Sequence, residues 1–143
     1  MSFSRMFDMA GSGMSAYLTY LNTTASNLAN ASHVSDNEKT VYKARKPIFS
    51  AEQIPTQGFD FVFSQGDEPI GLRVLDIVES KEPVLKKYDP NHPKANPEGY
   101  VFQSNVNTIE EMTDMIIGSQ GFEICVEFLN TQKDLAMKTI DSL

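Results

Sequence analysis

The chain of 143 residues is long enough for one ordinary domain, or for a small domain with long appendages. Its formal net charge of −7 argues against a nucleic-acid-binding protein, because contacts to phosphate need clustered Lys and Arg. A single cysteine, Cys125, excludes an internal disulfide framework and a Cys-rich metal site. The N-terminal stretch lacks the pattern of a cleavable secretory signal, so any route out of the cytoplasm is expected to be a different one.

Residues 1–31 are predicted to form an N-terminal helix. Their apolar side chains have the heptad-like spacing of a seam that packs on another helix, namely Phe3, Phe7, Ala10, Met14, Tyr17, Leu21, Ala25 and Leu28. The opposite face carries small and amide side chains instead of charges, among them Ser12, Ser15, Thr19, Asn22, Thr23, Ser26 and Asn27. We therefore expect that polar face to pack on further protein. Gly11 and Gly13 indicate either a close neighbouring backbone or a separate short first helix.

Residues 32–106 are predicted to form a β-rich insertion. Val41–Phe49, Phe59–Phe63 and Leu72–Val78 are short segments of aromatic and β-branched residues, and Pro and Gly turn formers separate them. Four prolines between Glu82 and Gly99 favour an ordered extended segment over a helix. A last short strand is expected at Tyr100–Phe102.

Residues 107–143 are predicted to form a long C-terminal helix. Its apolar stripe consists of Ile109, Met112, Ile116, Phe122, Val126, Leu129, Ala136, Ile140 and Leu143. Thr108 and Glu111 have the spacing of a capping box. So long a helix cannot bury its stripe on a small core and needs a long partner, which the N-terminal helix supplies. The predicted class is α+β, with the terminal helices paired as an antiparallel coiled-coil-like domain around a β-rich insertion.

The titratable residues form no constellation that predicts catalysis. We expect His33 and His92 to be ordinary surface residues and Cys125 to be a packing residue without a basic neighbour. The carboxylates of Glu110, Glu111 and Asp114 are better explained by the start of a helix than by a metal. We therefore predict a protein that is not an enzyme, with no catalytic, cofactor-binding or metal site.

The stretch Leu21–Ala31 resembles the N-terminal signature of bacterial flagellar axial proteins, the rod and hook family. Further stretches resemble its proximal-rod members and extend the similarity over nearly the whole chain, namely Phe7–Ser12, Tyr42–Phe49, Tyr88–Asn96, Gly99–Val101, Asn105–Asn107, Glu110–Met112, Asp114–Ile116, Val126–Thr131 and Lys138–Thr139. The chain departs from the family pattern at Gly118–Gly121, at Ser104 where a proline is usual, and at Cys125 where an asparagine is usual. The stretch Thr56–Pro69 is particular to this sequence.

The resemblance implies a structural subunit of the flagellar proximal rod. Such subunits assemble helically with other axial proteins into a torque-transmitting drive shaft around the export channel. The resemblance also implies export by the flagellar type III apparatus without a cleavable signal peptide, and a place in the basal-body rod within the periplasm. The implied partners are further copies, the proximal rod proteins FlgB and FlgF, the distal rod protein FlgG and the MS-ring/rod adaptor FliE. From the net charge and the lack of a long apolar run we expect neither nucleic-acid binding nor a membrane span.

The helical pattern and the resemblance together predict a set of subunit-packing residues on the two terminal helices. They are Phe7, Met14, Tyr17, Leu21, Asn22, Ala25, Ser26, Asn27, Leu28, Asn30, Met112, Ile116, Phe122, Val126, Leu129, Asn130 and Ile140. The alternative function is a soluble helical-hairpin binding module that displays a β-domain. That alternative predicts a stable monomer with a ligand pocket within Val41–Val78.

Overall fold

Two long helices flank the described strands along the chain. The computed structural model describes residues 3–53 and 70–142. The elements in chain order are α1 (Phe3–Ala29), β1 (Val34–Ser35), β2 (Arg45–Gln53), β3 (Ile70–Glu79), β4 (Leu85–Tyr88), β5 (Tyr100–Gln103) and α2 (Thr108–Asp141). The predicted α+β class is confirmed. The predicted strand Phe59–Phe63 and the stretch Thr56–Pro69 lie outside the described residues.

Helix α1 is a single helix of 27 residues, so Gly11 and Gly13 do not separate a short first helix. A Cβ atom at Gly13 would lie 3.1 Å from Cys125 Sγ, whereas one at Gly11 would meet nothing within 4 Å. Gly13 therefore makes room for the Cys125 side chain, and neither glycine shows the expected contact with a neighbouring backbone in the described part of the chain. The helix ends where Asn30 donates its side-chain amide to the carbonyl of Ser26 at 2.8 Å and so satisfies one of the last carbonyl groups.

Helix α2 has 34 residues and begins with a cap that the sequence analysis placed one residue too late. Asn107 Oδ1 accepts a hydrogen bond from the Ile109 N–H at 3.1 Å, and the Asn107 carbonyl accepts one from the Glu111 N–H at 3.0 Å. Asn107 is thus the N-cap residue. The predicted capping box of Thr108 and Glu111 is wrong, because the Glu111 carboxylate accepts a hydrogen bond from Asn27.

Strands β1, β5 and β4 form a three-stranded antiparallel sheet in that order. Val34 pairs with Gln103 on one side of β5, and Tyr88 pairs with Tyr100 on the other. Val101 in the central strand is only 2% exposed. The predicted strand Tyr100–Phe102 is confirmed by β5. The proline-rich segment Glu82–Gly99 avoids helix as predicted, but it also contains β4, which the sequence analysis did not find.

Strands β2 and β3 form a separate two-stranded sheet. Cross-strand ion pairs join Glu52 to Arg73 at 3.0 Å and Arg45 to Glu79 at 3.3 Å. The later residue of β2 pairs with the earlier residue of β3, so the two strands run antiparallel. The predicted segment Leu72–Val78 lies within β3. The predicted segment Val41–Phe49 starts too early, because residues 41–44 precede β2 and hold an irregular backbone.

The chain divides into two compact units, and each contains part of both helices. The first comprises the described residues of Met1–Thr19, Ile48–Asp76 and Gly118–Leu143, and the second comprises Tyr20–Pro47 and Ile77–Ile117. The apolar residues buried among the described ones are few and small. They are Ala10 and Ala16 in the first unit, and Val41, Ala44 and Val101 in the second. Within the part of the chain that the structure describes, no helix combines the length and apolar character needed to cross a membrane.

Candidate assembly surface

The second unit is centred on one buried amide, that of Asn27, which is 1% exposed. Its Nδ2 group donates to the Arg45 carbonyl at 2.7 Å and to Glu111 Oε1 at 3.0 Å. Its Oδ1 atom accepts from the Arg45 N–H and from the Tyr42 hydroxyl, both at 2.9 Å. Both donors and both acceptor positions of the amide are therefore occupied. This one side chain joins α1, the start of β2 and the first turn of α2.

The polar face of α1, which we expected to pack on other proteins, is partly buried within the second unit. Thr23, Thr24 and Asn27 are 7%, 3% and 1% exposed and lie inside the second unit, whereas Asn22 and Ser26 on the same helix are exposed. The expectation that this whole face is free to pack on further protein is therefore wrong for Thr23 and Asn27. The reason is that the irregular backbone before β2 and the Glu111 carboxylate need hydrogen-bonding partners, which an apolar seam could not provide.

The carboxylate of Glu111 is 3% exposed, and burial raises its pKa above the ordinary value. The hydrogen bond from Asn27 and the charge of Lys46 act in the opposite direction, while Asp114 and Glu110 add to the rise. The Lys46 ammonium contacts Glu110 at 2.5 Å and Asp114 at 3.8 Å. The acidic residues at the start of α2 are therefore held by hydrogen bonds and by one lysine.

Tyr20 of α1 also belongs to this group of residues in the second unit. Burial, a hydrogen bond with Asp114 and the surrounding carboxylates raise its pKa to about 12. Its hydroxyl therefore stays protonated under ordinary conditions. Within residues 3–53 and 70–142, no group of three or more His, Cys, Asp or Glu side chains is arranged to hold a metal ion.

In the first unit the two helices meet through small residues. A Cβ atom at Gly121 would overlap the Tyr17 ring, and the Cys125 thiol lies against Gly13. Gly118 and Gly121 are buried, and α2 continues as an α-helix through both. Burial raises the pKa of the Cys125 thiol, which agrees with its predicted role as a packing residue. The glycines thus make room for side chains of the partner helix, Gly121 for the Tyr17 ring and Gly13 for the Cys125 thiol.

The large aliphatic side chains of α2 lie mostly at the surface. Met112, Ile116 and Ile140 are 54%, 60% and 66% exposed, so the prediction that they bury a seam on the partner helix is wrong. Phe122, Val126 and Leu129 are half-buried. The inward positions of α2 are instead taken by Glu111 in the second unit and by Gly118, Gly121 and Cys125 in the first. Glu111 holds a buried hydrogen bond, and the Tyr17 ring fills the space beside Gly121, so there is no room for larger side chains.

The predicted subunit-packing residues of α1 are distributed over the surface and the interior. Phe7, Asn22, Ala25 and Ser26 are exposed, and Met14, Tyr17, Leu21 and Leu28 are half-buried, as is Asn30 directly after the helix. Asn130 of α2 is also exposed. Several exposed apolar side chains were not predicted, namely Leu18, Ile48, Phe49, Leu75, Ile77, Val78, Leu85, Ile117, Ile124, Leu135 and Met137. Met112 and Ile116, four residues apart on α2, are exposed on one face of the helix, and contiguous apolar surface of this kind is typical of protein contacts.

The two histidines each accept a hydrogen bond from a loop backbone. His33 Nδ1 accepts from the Tyr42 N–H at 3.2 Å, and His92 Nδ1 accepts from the Lys94 N–H at 3.1 Å. Both rings are half-buried rather than free at the surface as expected. They close local turns, which is a structural role.

Comparison with known proteins finds matches at both ends of the chain and over its whole length. The family model described as flagella basal body rod protein matches residues 7–35, and the model described as flagellar basal body rod FlgEFG protein C-terminal matches residues 98–142. The flagellar basal-body rod protein FlgC of Yersinia enterocolitica is 36% identical over 140 residues, which cover 98% of this chain and 97% of the relative. FlgC of Escherichia coli O157:H7 is 34% identical with the same coverage. FlgC of Borreliella burgdorferi is 31% identical over 135 residues, or 90% of this chain and 89% of the relative.

Proposed function

Because the chain belongs to the FlgC family of flagellar basal-body rod proteins and is a structural subunit of the flagellar rod, we propose that it occupies the proximal rod. There it assembles helically with other axial proteins into the torque-transmitting shaft around the export channel. The observation that supports this proposal is the exposed aliphatic surface of α2, which includes Ile116 at 60% and Ile140 at 66% exposure. The family assignment favours this function over a soluble binding module.

The exposed side chains have the right chemistry to hold copies together. Full burial of one aliphatic side chain is worth about 1.5–3 kcal/mol, and α2 exposes eight such side chains, namely Ile109, Met112, Ile116, Ile117, Ile124, Leu135, Met137 and Ile140. Their burial between neighbours would exceed what the few small buried residues contribute within one subunit. Rotation of the shaft is then transmitted through many parallel helix contacts.

The inner domain of the rod subunit is proposed to consist of residues 1–31 and 107–143, with residues 32–106 as the β-rich insertion. Its neighbours in the rod are proposed to be further copies, FlgB, FlgF, FlgG and FliE. The subunit is proposed to reach the periplasm through the flagellar type III export apparatus. We propose no catalytic activity for it, and we assign the buried Glu111 carboxylate and the half-buried Tyr20 the structural role of joining α1 to α2.

The test of this function uses two aspartate substitutions at exposed positions three residues apart on α2. Ile116→Asp removes an exposed isoleucine, and Ser119→Asp introduces the same charge at an exposed serine. We expect neither to unfold the subunit. In a strain that lacks the native gene, Ile116→Asp should abolish swimming and basal-body rods, because an unpaired charge would lie in an apolar contact.

The Ser119→Asp strain should swim, and both variants should reach the periplasmic fraction in equal amounts. Normal swimming of the Ile116→Asp strain would contradict the role of this surface in assembly. Normal swimming of the strain without the gene would contradict the rod function altogether.

A further inference from the structure

A basic pocket of about 310 Å³ lies in the second unit, beside the start of β2. Its charged lining residues are Lys39, Lys43, Arg45 and Glu79, and His33 also lines the pocket. Glu79 is paired with Arg45 at 3.3 Å. Lys39 and Lys43 have no ion pair with any residue that the structure describes. The pocket therefore carries an excess of positive charge in a chain whose net charge is −7.

The backbone that carries Lys43 and Arg45 is fixed although it has no regular structure. The Tyr42 N–H donates to His33 Nδ1 at 3.2 Å, the Ala44 N–H to Asn105 Oδ1 at 2.8 Å and the Arg45 N–H to Asn27 Oδ1 at 2.9 Å. The Arg45 guanidinium also lies over the Tyr42 ring at 5.5 Å from its centroid. A site whose backbone is already ordered loses less entropy when it binds a partner.

The second unit already contains one lysine that binds a pair of carboxylates on a helix, and this pair shows what kind of ligand the basic pocket could bind. Glu110 and Asp114, four residues apart on α2, share the Lys46 ammonium at 2.5 Å and 3.8 Å. Glu123 and Glu127 have the same spacing further along α2, and both are exposed. Neither of them has a cationic partner among residues 3–53 and 70–142. Two like charges four residues apart destabilise a helix until a cation neutralises them.

We propose that the basic pocket of one subunit binds the Glu123–Glu127 pair of a second copy of this chain. The ligand is thus a pair of carboxylates on a neighbouring helix, and Lys39 and Lys43 supply the ammonium groups that neutralise them. This inference rests on the proposed function, because it requires copies to be neighbours in the rod. The proposed contact adds a specific charge pairing to the apolar contacts between copies. Charge pairing of this kind fixes how two surfaces align at an interface.

The first experiment is a charge exchange in a strain that lacks the native gene. Lys43→Glu alone and Glu127→Lys alone should each reduce the number of assembled basal bodies by roughly tenfold, because like charges would meet at the contact. The double variant with both changes should restore assembly. Lys81→Glu is the matched control, since Lys81 is exposed and does not line the pocket, and it should assemble normally.

The second experiment traps the contact itself. In a Cys125→Ser background, Lys43→Cys combined with Glu127→Cys should give disulfide-linked dimers in isolated basal bodies after mild oxidation. Lys81→Cys combined with Glu127→Cys should not. Normal assembly of Lys43→Glu, failure of the double variant to recover, or absence of the linked dimer would overturn the proposal. A deletion strain that swims would instead contradict the rod function, so the two failures are distinguishable.

Discussion

The side-chain amide of Asn27 donates a hydrogen bond to the carboxylate of Glu111 at 3.0 Å, across 84 positions of sequence and with both groups buried. This bond connects the end of α1 to the first turn of α2. Because Asn27 also holds the backbone of Arg45 on both sides, the same residue fixes where β2 begins. The second unit is therefore held together by a polar centre as much as by an apolar core.

Asn27→Ala should destabilise the protein by roughly 3 kcal/mol, because it removes the partner of several buried or partly buried polar groups and each fully buried one costs about 1–3 kcal/mol. These groups are the Arg45 N–H and carbonyl and the Glu111 carboxylate, whereas the Tyr42 hydroxyl keeps its contact with Ser26 Oγ at 3.3 Å. Urea unfolding measures the change. Asn22→Ala is the control on the same helix, because Asn22 is exposed, and its effect should stay within about 0.5 kcal/mol. Equal losses for the two variants would refute the special role of Asn27.

The stability of the second unit should fall as pH rises through the raised pKa of Glu111. Burial raises this pKa above the ordinary 4.5, so the folded protein binds the proton more tightly than the unfolded chain does. The stabilisation by this proton is complete below 4.5 and is lost as pH passes through the folded pKa. Glu111→Gln keeps the amide contact without a charge and should remove this part of the pH dependence. The measurement is the difference in unfolding free energy between wild type and variant over pH, and a constant difference would contradict the prediction.

Alanine substitutions at two helical glycines should have opposite effects on the stability of the protein. Gly121→Ala places a methyl group where the Tyr17 ring lies, so the ring must move, and overpacking of this kind costs about 1–3 kcal/mol. Gly11→Ala meets nothing within 4 Å and should gain about 1 kcal/mol from helix propensity. Thermal unfolding followed by circular dichroism compares the two. A stabilising Gly121→Ala would show that the two helices of the first unit do not approach each other at this position.

Gly99 is the described residue whose backbone requires glycine. Its φ angle is +79°, and a Cβ atom there would lie 2.9 Å from the Tyr88 ring and 3.2 Å from Pro90. Gly99→Ala should therefore destabilise the three-stranded sheet by about 1–2 kcal/mol from backbone strain, with the ring contact added. Glu98→Ala, an exposed neighbour, is the control and should have little effect. Hydrogen exchange at the paired strands β4 and β5 would show the loss, and unchanged protection would contradict it.

The extents of the long elements could be predicted from the sequence because the signals for them are local. Helical spacing of apolar residues places α1 and α2 within a few residues of their observed ends, and runs of aromatic and β-branched residues locate β3 and β5. The cap of α2 was missed by one residue because Asn107 and Thr108 are both good capping residues and the sequence does not choose between them. Strand β1, of two residues, exists only through its pairing with β5 and has no local signal of its own.

The sequence by itself determined that this chain has two long helices around a β-rich insertion, and it determined the family. Both could be read from the sequence because apolar spacing and family motifs involve residues that are close together along the chain. Only the tertiary structure decided which face of each helix is inward. Each helix has two faces that could pack against other protein. The face that packs within the subunit is the one with small or hydrogen-bonding side chains, as in the contacts of Gly121 with Tyr17 and of Asn27 with Glu111. The large aliphatic residues, which periodicity alone assigned to the inside, are left on the outside where a neighbouring subunit can cover them.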